Sequence, residues 1–363
     1  MGGGGGTFYV IIICMRISEN ILISSLTTMR LGGPARYVIE IEAPEEIPSA
    51  YAFAASKQLP TFVLGYGANT IGHDEGFNGV IIINRLRGII EKDATSTSDA
   101  LREESPSKTV IAVMGGEYWD DVVAYACERQ LTGIEALSKI PGLTAAAPVQ
   151  NIGAYGQDIS DTLTEIYVYD TTTSTFKTLT KSELGFSYRR SILNSSARDR
   201  YFVISITLEL HRGQMSRPFY NSIENYIFEH HLTDFTPQGI RQIVSTIRAA
   251  KLPDPLVKAS SGSFFKNVYL DDAAAALAES KGYPVHHGKD GHKINSGWLI
   301  EQAGFKGQLL YGFRVNEQAT LVLINESATS YADLAKARSA ITSKVYDQFG
   351  YWLEQEPVEI TQP

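Results

Sequence analysis

The sequence predicts an α+β protein made of two α/β units followed by a smaller α/β domain. Three observations point there. Short apolar runs of strand length alternate with longer helical stretches, several of which carry cap signals. Three glycine-containing turns each follow or interrupt a predicted strand. The length of 363 residues exceeds what one simple core accommodates and suggests two or three domains.

Residues 37–41 alternate as a strand, and 45–58 read as a helix entered through Pro44 and closed before Pro60. Runs 61–64 and 79–83 are short, apolar and bounded by glycine, which predicts buried strands. In the second unit, 110–113 runs as a strand into Gly115-Gly116. A helix follows over 118–130, with Trp119, Val122, Val123 and Ala126 on one face. Residues 166–169 and 201–210 alternate as strands, and the polar stretch 93–108 predicts a long exposed loop. Helix 236–251 takes Thr236 as its N-cap and Pro237 at its first position. Lys251-Leu252-Pro253-Asp254-Pro255 stops that helix and marks a domain boundary. The last helix starts at Ser330, with Asp333 completing a capping box, and stops at Gly350; Leu334, Ile341, Val345 and Phe349 form its core stripe.

Residues 1–15 are expected to be a disordered extension: a glycine tract precedes an apolar run that lacks the basic segment of a signal peptide. That run is also too short to cross a bilayer, which takes ~20 residues. Met15 would serve equally well as a start. The expected division is a module over 16–250, with subdomains of about 16–90 and 91–250, then a domain over 251–355 and a tail over 356–363.

The net charge of −8 argues against nonspecific nucleic-acid binding, which needs a basic face. Only two cysteines occur, Cys14 and Cys127, so a disulfide framework is excluded and a reducing compartment fits. The adjacent pairs His230-His231 and His286-His287 point their rings apart on a helix or strand, and no metal site is expected. No stretch reads as transmembrane.

The glycine turns are Gly65-Tyr66-Gly67-Ala68-Asn69-Thr70, Gly115-Gly116, and the run from Ile140-Pro141-Gly142 to Gly153-Ala154-Tyr155-Gly156. Each alone is an ordinary turn or a binding loop. Converging, they would cradle a pyrophosphate through backbone N–H groups. None matches the P-loop or the Rossmann G-x-G-x-x-G, so a dinucleotide would be held without a Rossmann fold. Gln150 and Asn151 lie in a long neutral loop whose amides need partners, supplied either by a flavin ring or by the loop itself.

These blocks occur in one order with Asn84-Arg85-Leu86-Arg87-Gly88-Ile89, Tyr188-Arg189, Ser261-Gly262-Ser263-Phe264-Phe265-Lys266-Asn267, Gly297-Trp298-Leu299-Ile300-Glu301-Gln302 and Trp352-Leu353-Glu354-Gln355-Glu356. In that order the chain resembles the UDP-N-acetylenolpyruvoylglucosamine reductase (UDP-N-acetylmuramate dehydrogenase) family, in its long form with a substrate-loop tyrosine. The resemblance covers about residues 20–357. The N-terminal half also resembles the wider group of flavoproteins with a PCMH-type FAD-binding module.

The resemblance implies noncovalent FAD, NADPH as co-substrate, and reduction of the enolpyruvyl ether of a UDP-sugar in bacterial cell-wall (peptidoglycan) synthesis. It also implies a cytoplasmic enzyme, taken to be a monomer. Residue by residue, it places the carboxylate-binding arginine at Arg189, the serine acid at Ser263 and the C-terminal glutamate at Glu356. Substrate contacts fall at Tyr220, Lys251, Asn267 and Gln318, and cofactor contacts at Gly65, Tyr66, Gly67, Ala68, Asn69, Thr70, Gly115, Gly116, Ile140, Pro141, Gln150, Asn151, Gly153, Ala154 and Tyr155.

The chemistry wants these residue types. An enol ether is not electrophilic by itself, so the adjacent carboxylate must take up developing charge, which a guanidinium fork stabilises. Glu356 adds a second contact if protonated, or orients a donor. Ser263 can protonate a carbanion-like centre within hydrogen-bond distance, with Lys266 or water as a relay. Arg190 and Glu354, neighbours of two assigned residues, have no matching role and are expected to be solvated. His73 is expected to be a surface or capping residue, not a covalent flavin link. Tyr220 is expected in a loop between strand 201–210 and helix 236–251, either a lid or a surface loop.

Three departures stand out: Ala145 where a glycine is usual, Lys139 where a small residue is usual, and Gln355 and Pro357 around Glu356. The competing classes are a flavin oxidase, opposed by the Ser263 block, and a silent nucleotide-sugar binder.

Overall fold

The computed structural model describes residues 15–93, 108–215, 217, 219–288 and 291–362. The expected extension therefore lies outside the described residues except for Met15, which packs against the cluster around Tyr37, Ile39 and Phe202.

The first sheet runs in the order Arg16–Leu22, Pro34–Ile41, Phe77–Asn84, Thr61–Leu64. Its inner pairings are parallel, and Arg16–Leu22 joins antiparallel at the edge. Phe77–Asn84 is buried except at Asn78, as expected where a strand is covered on both faces. Helix Glu46–Ser56 sets Ile47, Ala50 and Ala54 into one of those faces. Edge strand Arg16–Leu22 was not legible beforehand, because it buries too little to show an apolar alternation.

The second unit differs from the α/β expectation. Its sheet runs Thr175–Thr180, Leu163–Asp170, Tyr201–Arg212, Lys108–Met114, Ile89–Asp93, with every neighbour antiparallel. Helix Trp119–Glu128 covers it with Trp119, Val122, Val123, Ala126 and Cys127. Burial pushes the Cys127 thiol up to about 12, so it stays an inert core thiol. The expected loop 93–108 begins and ends in paired strands, Asp93 opposite Thr109, and its interior lies outside the described residues.

Helix Pro237–Lys251 is capped by Thr236, whose Oγ1 accepts from the Gly239 N–H at 3.1 Å. Beyond it, Ser260–Ser263, Val322–Asn325, Phe313–Val315 and Leu309–Leu310 form a sheet in that order. A second, three-stranded sheet places Gly291–Ile294 between Val268–Leu270 and Val285–Gly288. Helix Tyr331–Phe349 runs from Ser330 to the left-handed Gly350. The core here takes Met29, Leu31 and Ile71 from the start of the chain. In return, tail strand Val358–Ile360 pairs in parallel with Thr70–Gly72, and Ile360 packs beside Ile23 and Leu64. The segment around Ile23 and the tail thus meet beside the first glycine turn.

Candidate functional site

The turn after strand Thr61–Leu64 lies against residues 26–28. A Cβ on Gly67 would stand 2.7 Å from the Thr27 Cα, and its φ is +71°. No side chain larger than hydrogen fits there without moving backbone. The Gly67 carbonyl accepts from the Thr28 N–H at 3.1 Å, while the Thr28 hydroxyl donates to the Ser260 carbonyl at 2.6 Å. One threonine so ties the glycine turn to the strand ending in Ser263. The N–H groups of Tyr66, Gly67, Ala68 and Asn69 donate to nothing among the described residues, so they form a run of free donors. The Asn69 side chain donates to Gln150 Oε1 at 2.7 Å, which joins this turn to the long neutral loop. Gly65 faces Ala146, and Thr70 starts the strand that receives the tail.

Gly115 and Gly116 behave differently from the expected cradle. Their N–H groups are already spent, on Ile204 O at 2.7 Å and Leu86 O at 2.9 Å. Glycine is needed there for packing: a Cβ on Gly116 would lie 2.6 Å from the Leu86 nitrogen. Ala145 sits on Gly115, its N–H donating to the Gly115 carbonyl at 2.9 Å. The Lys139 departure also has a local account. Its ammonium meets Asp120 at 2.8 Å, and Asp120 is gripped by both terminal nitrogens of Arg241 at 2.6 and 3.0 Å.

Tyr66, Tyr118, Ile140, Pro141 and Gly142 line a cavity of about 420 Å³, closed on the other side by Arg248, Pro253 to Leu256, and Gly262. Arg248 was not foreseen. Its Nη2 donates to the Lys139 carbonyl at 3.2 Å, while its buried Nε has no hydrogen-bond partner. The signal was available, since Arg248 follows Val244 by one helical turn and so puts a cation beside the apolar stripe. Ser261, whose buried hydroxyl is also without a partner, and Thr28 were missed as well.

In the neutral loop, Asn151 is satisfied by the protein: its amide donates to Ser187 O at 3.2 Å and accepts from the Ser160 N–H at 3.2 Å. Asn151 and Tyr155 have positive φ, which turns the backbone so that the carbonyls of Asn151 and Gly153 face Arg189. Arg189 Nη2 donates to Gly153 O at 3.0 Å and Nη1 to Asn151 O at 3.4 Å. Its Nε makes no hydrogen bond but lies 3.4 Å from Glu356 Oε1. Glu356 is 13% exposed. Burial raises its pKa above the ordinary carboxyl value, opposed by the charges of Arg189 and Lys266.

The tail holding Glu356 runs along the serine block. The Glu356 N–H donates to Phe264 O at 2.9 Å, the Lys266 N–H donates to Glu354 O at 2.8 Å, and Gln355 bridges Phe265. Arg189 and Glu356 are therefore a direct pair, and Ser263 lies one residue from the carbonyl that anchors Glu356. Gly262, at φ +71°, lies in the register shift between Ser260 and Ser263, beyond which Ser263 pairs with Val322. Arg190 and Glu354 are exposed, and Glu354 pairs with Lys266.

Tyr220 ends the connection after strand Tyr201–Arg212, as the residue before helix Asn221–His230; that helix, which has no side-chain cap, was not expected. The Tyr220 ring meets Tyr155 edge-on at 5.9 Å, and through residues 153–155 it approaches the Arg189 side. Lys251 and Gln318 are linked through Asn316, which donates to Lys251 O at 3.2 Å and accepts from the Gln318 N–H at 3.4 Å. Asn267 Oδ1 accepts from the Ser296 N–H at 3.2 Å. His73 is not a surface residue: its ring stacks on Tyr331 at 3.7 Å and Nε2 lies 3.0 Å from Glu359. Among the described residues no group of three or more His, Cys, Asp or Glu is placed to hold a metal, and no helix is long and apolar enough to cross a membrane.

Residues 35–179 match the FAD binding domain family, and together with the reductase relatives below this makes the chain a flavoprotein oxidoreductase. Residues 254–360 match the family described as UDP-N-acetylenolpyruvoylglucosamine reductase, C-terminal domain. The chain is 31% identical over 349 residues to a UDP-N-acetylenolpyruvoylglucosamine reductase of Bdellovibrio bacteriovorus, covering 95% of this chain and 99% of that protein. It is 32% identical over 332 residues to the Escherichia coli protein of the same name, covering 91% and 92%. It belongs to the UDP-N-acetylenolpyruvoylglucosamine reductase family. The solved reductase from Thermus caldophilus shares the fold, with a TM-score of 0.63 at 23% identity, covering 96% of this chain and all of that one.

Proposed function

We propose that this protein uses NADPH and noncovalently bound FAD to reduce the enolpyruvyl ether of UDP-N-acetylglucosamine enolpyruvate to UDP-N-acetylmuramate, in the cytoplasm and as a monomer. The observation that carries this reading is the Arg189–Glu356 pair, 3.4 Å apart, on the segment anchored beside Ser263. A binding protein would have no need of a buried acid, a fixed fork and a hydroxyl together.

The residues fit FAD. The four free N–H groups of residues 66–69, the unpartnered Arg248 Nε and the apolar cavity walls suit an anionic dinucleotide with a flat ring. When bound, the flavin supplies the hydride, taken from NADPH and passed to the substrate. Arg189 holds the substrate carboxylate and stabilises charge that develops on it. Two carbonyls fix its fork in advance, so that little reorganisation is needed at the moment of reaction. Glu356, whose pKa burial raises, faces Arg189 and adds a second contact to that carboxylate when protonated. Ser263 Oγ delivers the proton to the neighbouring carbon. Tyr220, Lys251, Asn267 and Gln318 hold the sugar nucleotide. With its ring stacked and its Nε2 facing Glu359, His73 is occupied, which agrees with a noncovalent cofactor.

Anaerobic titration tests the reading. NADPH should bleach the bound flavin, and the enolpyruvyl UDP-sugar should restore its colour. Recovery only on admitting oxygen would overturn it.

A further inference from the structure

Behind Glu356 lies a polar cluster that joins three distant segments. Arg338, on helix Tyr331–Phe349, donates through Nη1 to Gln355 Oε1 at 2.5 Å and to Glu359 Oε1 at 2.8 Å. Its Nη2 reaches the Tyr331 hydroxyl at 3.2 Å, and that hydroxyl donates to Glu359 Oε1 at 2.9 Å. Gln355 Nε2 closes the ring on Glu359 at 3.1 Å and on the Pro357 carbonyl at 2.9 Å. His73 takes the other Glu359 oxygen at 3.0 Å while stacking on Tyr331. Next to it, Asp74 accepts from the first N–H of that helix at 2.7 Å.

As ion pairs alone these groups would contribute little. Their arrangement has another property. Gln355 and Glu359 bracket Glu356, and both converge on the single guanidinium of Arg338. On the opposite side, the Glu356 N–H donates to the Phe264 carbonyl at 2.9 Å. Its carboxyl must still meet Arg189, a contact of 3.4 Å that a shift of one ångström would break.

We propose that Arg338, Gln355 and Glu359, braced by Tyr331 and His73, are a latch that sets the position of Glu356 against Arg189; they are positioning residues for the reduction. This rests on the reading of Glu356 given above. Misplacing a reacting group by about 1 Å can cost ~10²-fold in rate. Loosening the latch should therefore slow the sugar-nucleotide step and spare reduction of the flavin, which does not use Glu356.

The test compares Arg338→Met, Glu359→Gln and Gln355→Ala with Glu356→Gln, in the flavin-loaded enzyme. The control is Arg314→Met, which breaks the exposed pair between Arg314 and Glu326. Stopped flow measures the two half-reactions, flavin content and melting temperature are recorded, and affinity for UDP-N-acetylmuramate is titrated. The latch variants should slow the second half-reaction ~10–10²-fold, with flavin reduction, flavin content and product affinity near those of the parent. Glu359→Gln, which keeps an acceptor for Arg338, should be the mildest. Equal slowing of both half-reactions, or slowing matched by the Arg314 control, would mean ordinary loss of stability and overturn the latch. If Arg338→Met does not fold, the Gln355 and Glu359 variants decide the matter by the same criteria. If Glu356→Gln slows the second step and the latch variants leave it unchanged, only the latch falls. If Glu356→Gln itself leaves that step unchanged, the reading of the site falls and the latch with it.

Discussion

Replacing Arg189 by lysine keeps the charge and removes the geometry. In the parent, Nη2 and Nη1 are tethered to the carbonyls of Gly153 and Asn151 at 3.0 and 3.4 Å, which aims Nε at Glu356. Hydrogen bonds to charged groups contribute about 1.5–3 kcal/mol, and the longer tether contributes the lesser part. An ammonium can keep one of the three contacts, so the cation is no longer held at the place where substrate charge develops. Loss of one preorganised donor costs about 10²–10³ in rate, and that is the slowing expected in the sugar-nucleotide half-reaction. Reduction of the flavin by NADPH should change little. Stopped-flow absorbance of the flavin separates the two steps, and Arg190→Lys, at an exposed neighbour, is the comparison. Like behaviour of the two variants would refute the assignment of Arg189.

Ser263→Ala should leave flavin reduction nearly intact and slow the second half-reaction sharply; equal effects on both would remove the serine from the proton transfer. Because burial raises the Glu356 pKa, the folded protein holds that proton more tightly than the unfolded chain does. Its contribution is therefore favourable at low pH and is lost as pH rises from the ordinary value of 4.5 through the raised one. Glu356→Gln should accordingly gain in melting temperature relative to the parent as pH rises over that window, and parallel curves would contradict the raised pKa. Tyr220→Phe should weaken binding of the UDP-sugar by about 0.5–1.5 kcal/mol in isothermal titration without slowing flavin reduction. Unchanged affinity would make Tyr220 a bystander that merely packs on Tyr155.

Local signals carried the elements that could be read. Thr236 with Pro237, and Ser330 with Asp333 and Gly350, mark helix ends through contacts made within a few residues, and both helices lie where those residues place them. Strand Phe77–Asn84 announced itself as a continuous apolar run. What was hidden had no such signature. Helix Asn221–His230 lacks a cap, and strand Arg16–Leu22 is an edge with little to bury. The antiparallel second sheet depends on which strands meet, and alternation within one strand does not encode its partner. The site divides in the same way. Arg189, Ser263 and Glu356 were marked by resemblance, yet their meeting depends on the tail crossing to the serine block. The use of Gly115 and Gly116 for packing, and the enclosure of His73, follow from neighbours remote in sequence.

The pairing of Val358–Ile360 with Thr70–Gly72 brings together residues such as His73 and Glu359, 286 positions apart. Closing so long a span adds little to the free-energy cost, since each doubling of a loop adds only about 0.6 kcal/mol. It matters for timing, because non-local contacts form slowly and chains grow from the N-terminus. On the ribosome the sheets built from residues 16–325 can pair before Glu356 emerges, while Thr70–Gly72 still waits for its partner strand. A nascent chain can thus form most of the cavity lined by Tyr66, Ile140 and Gly262 before Glu356 is in place.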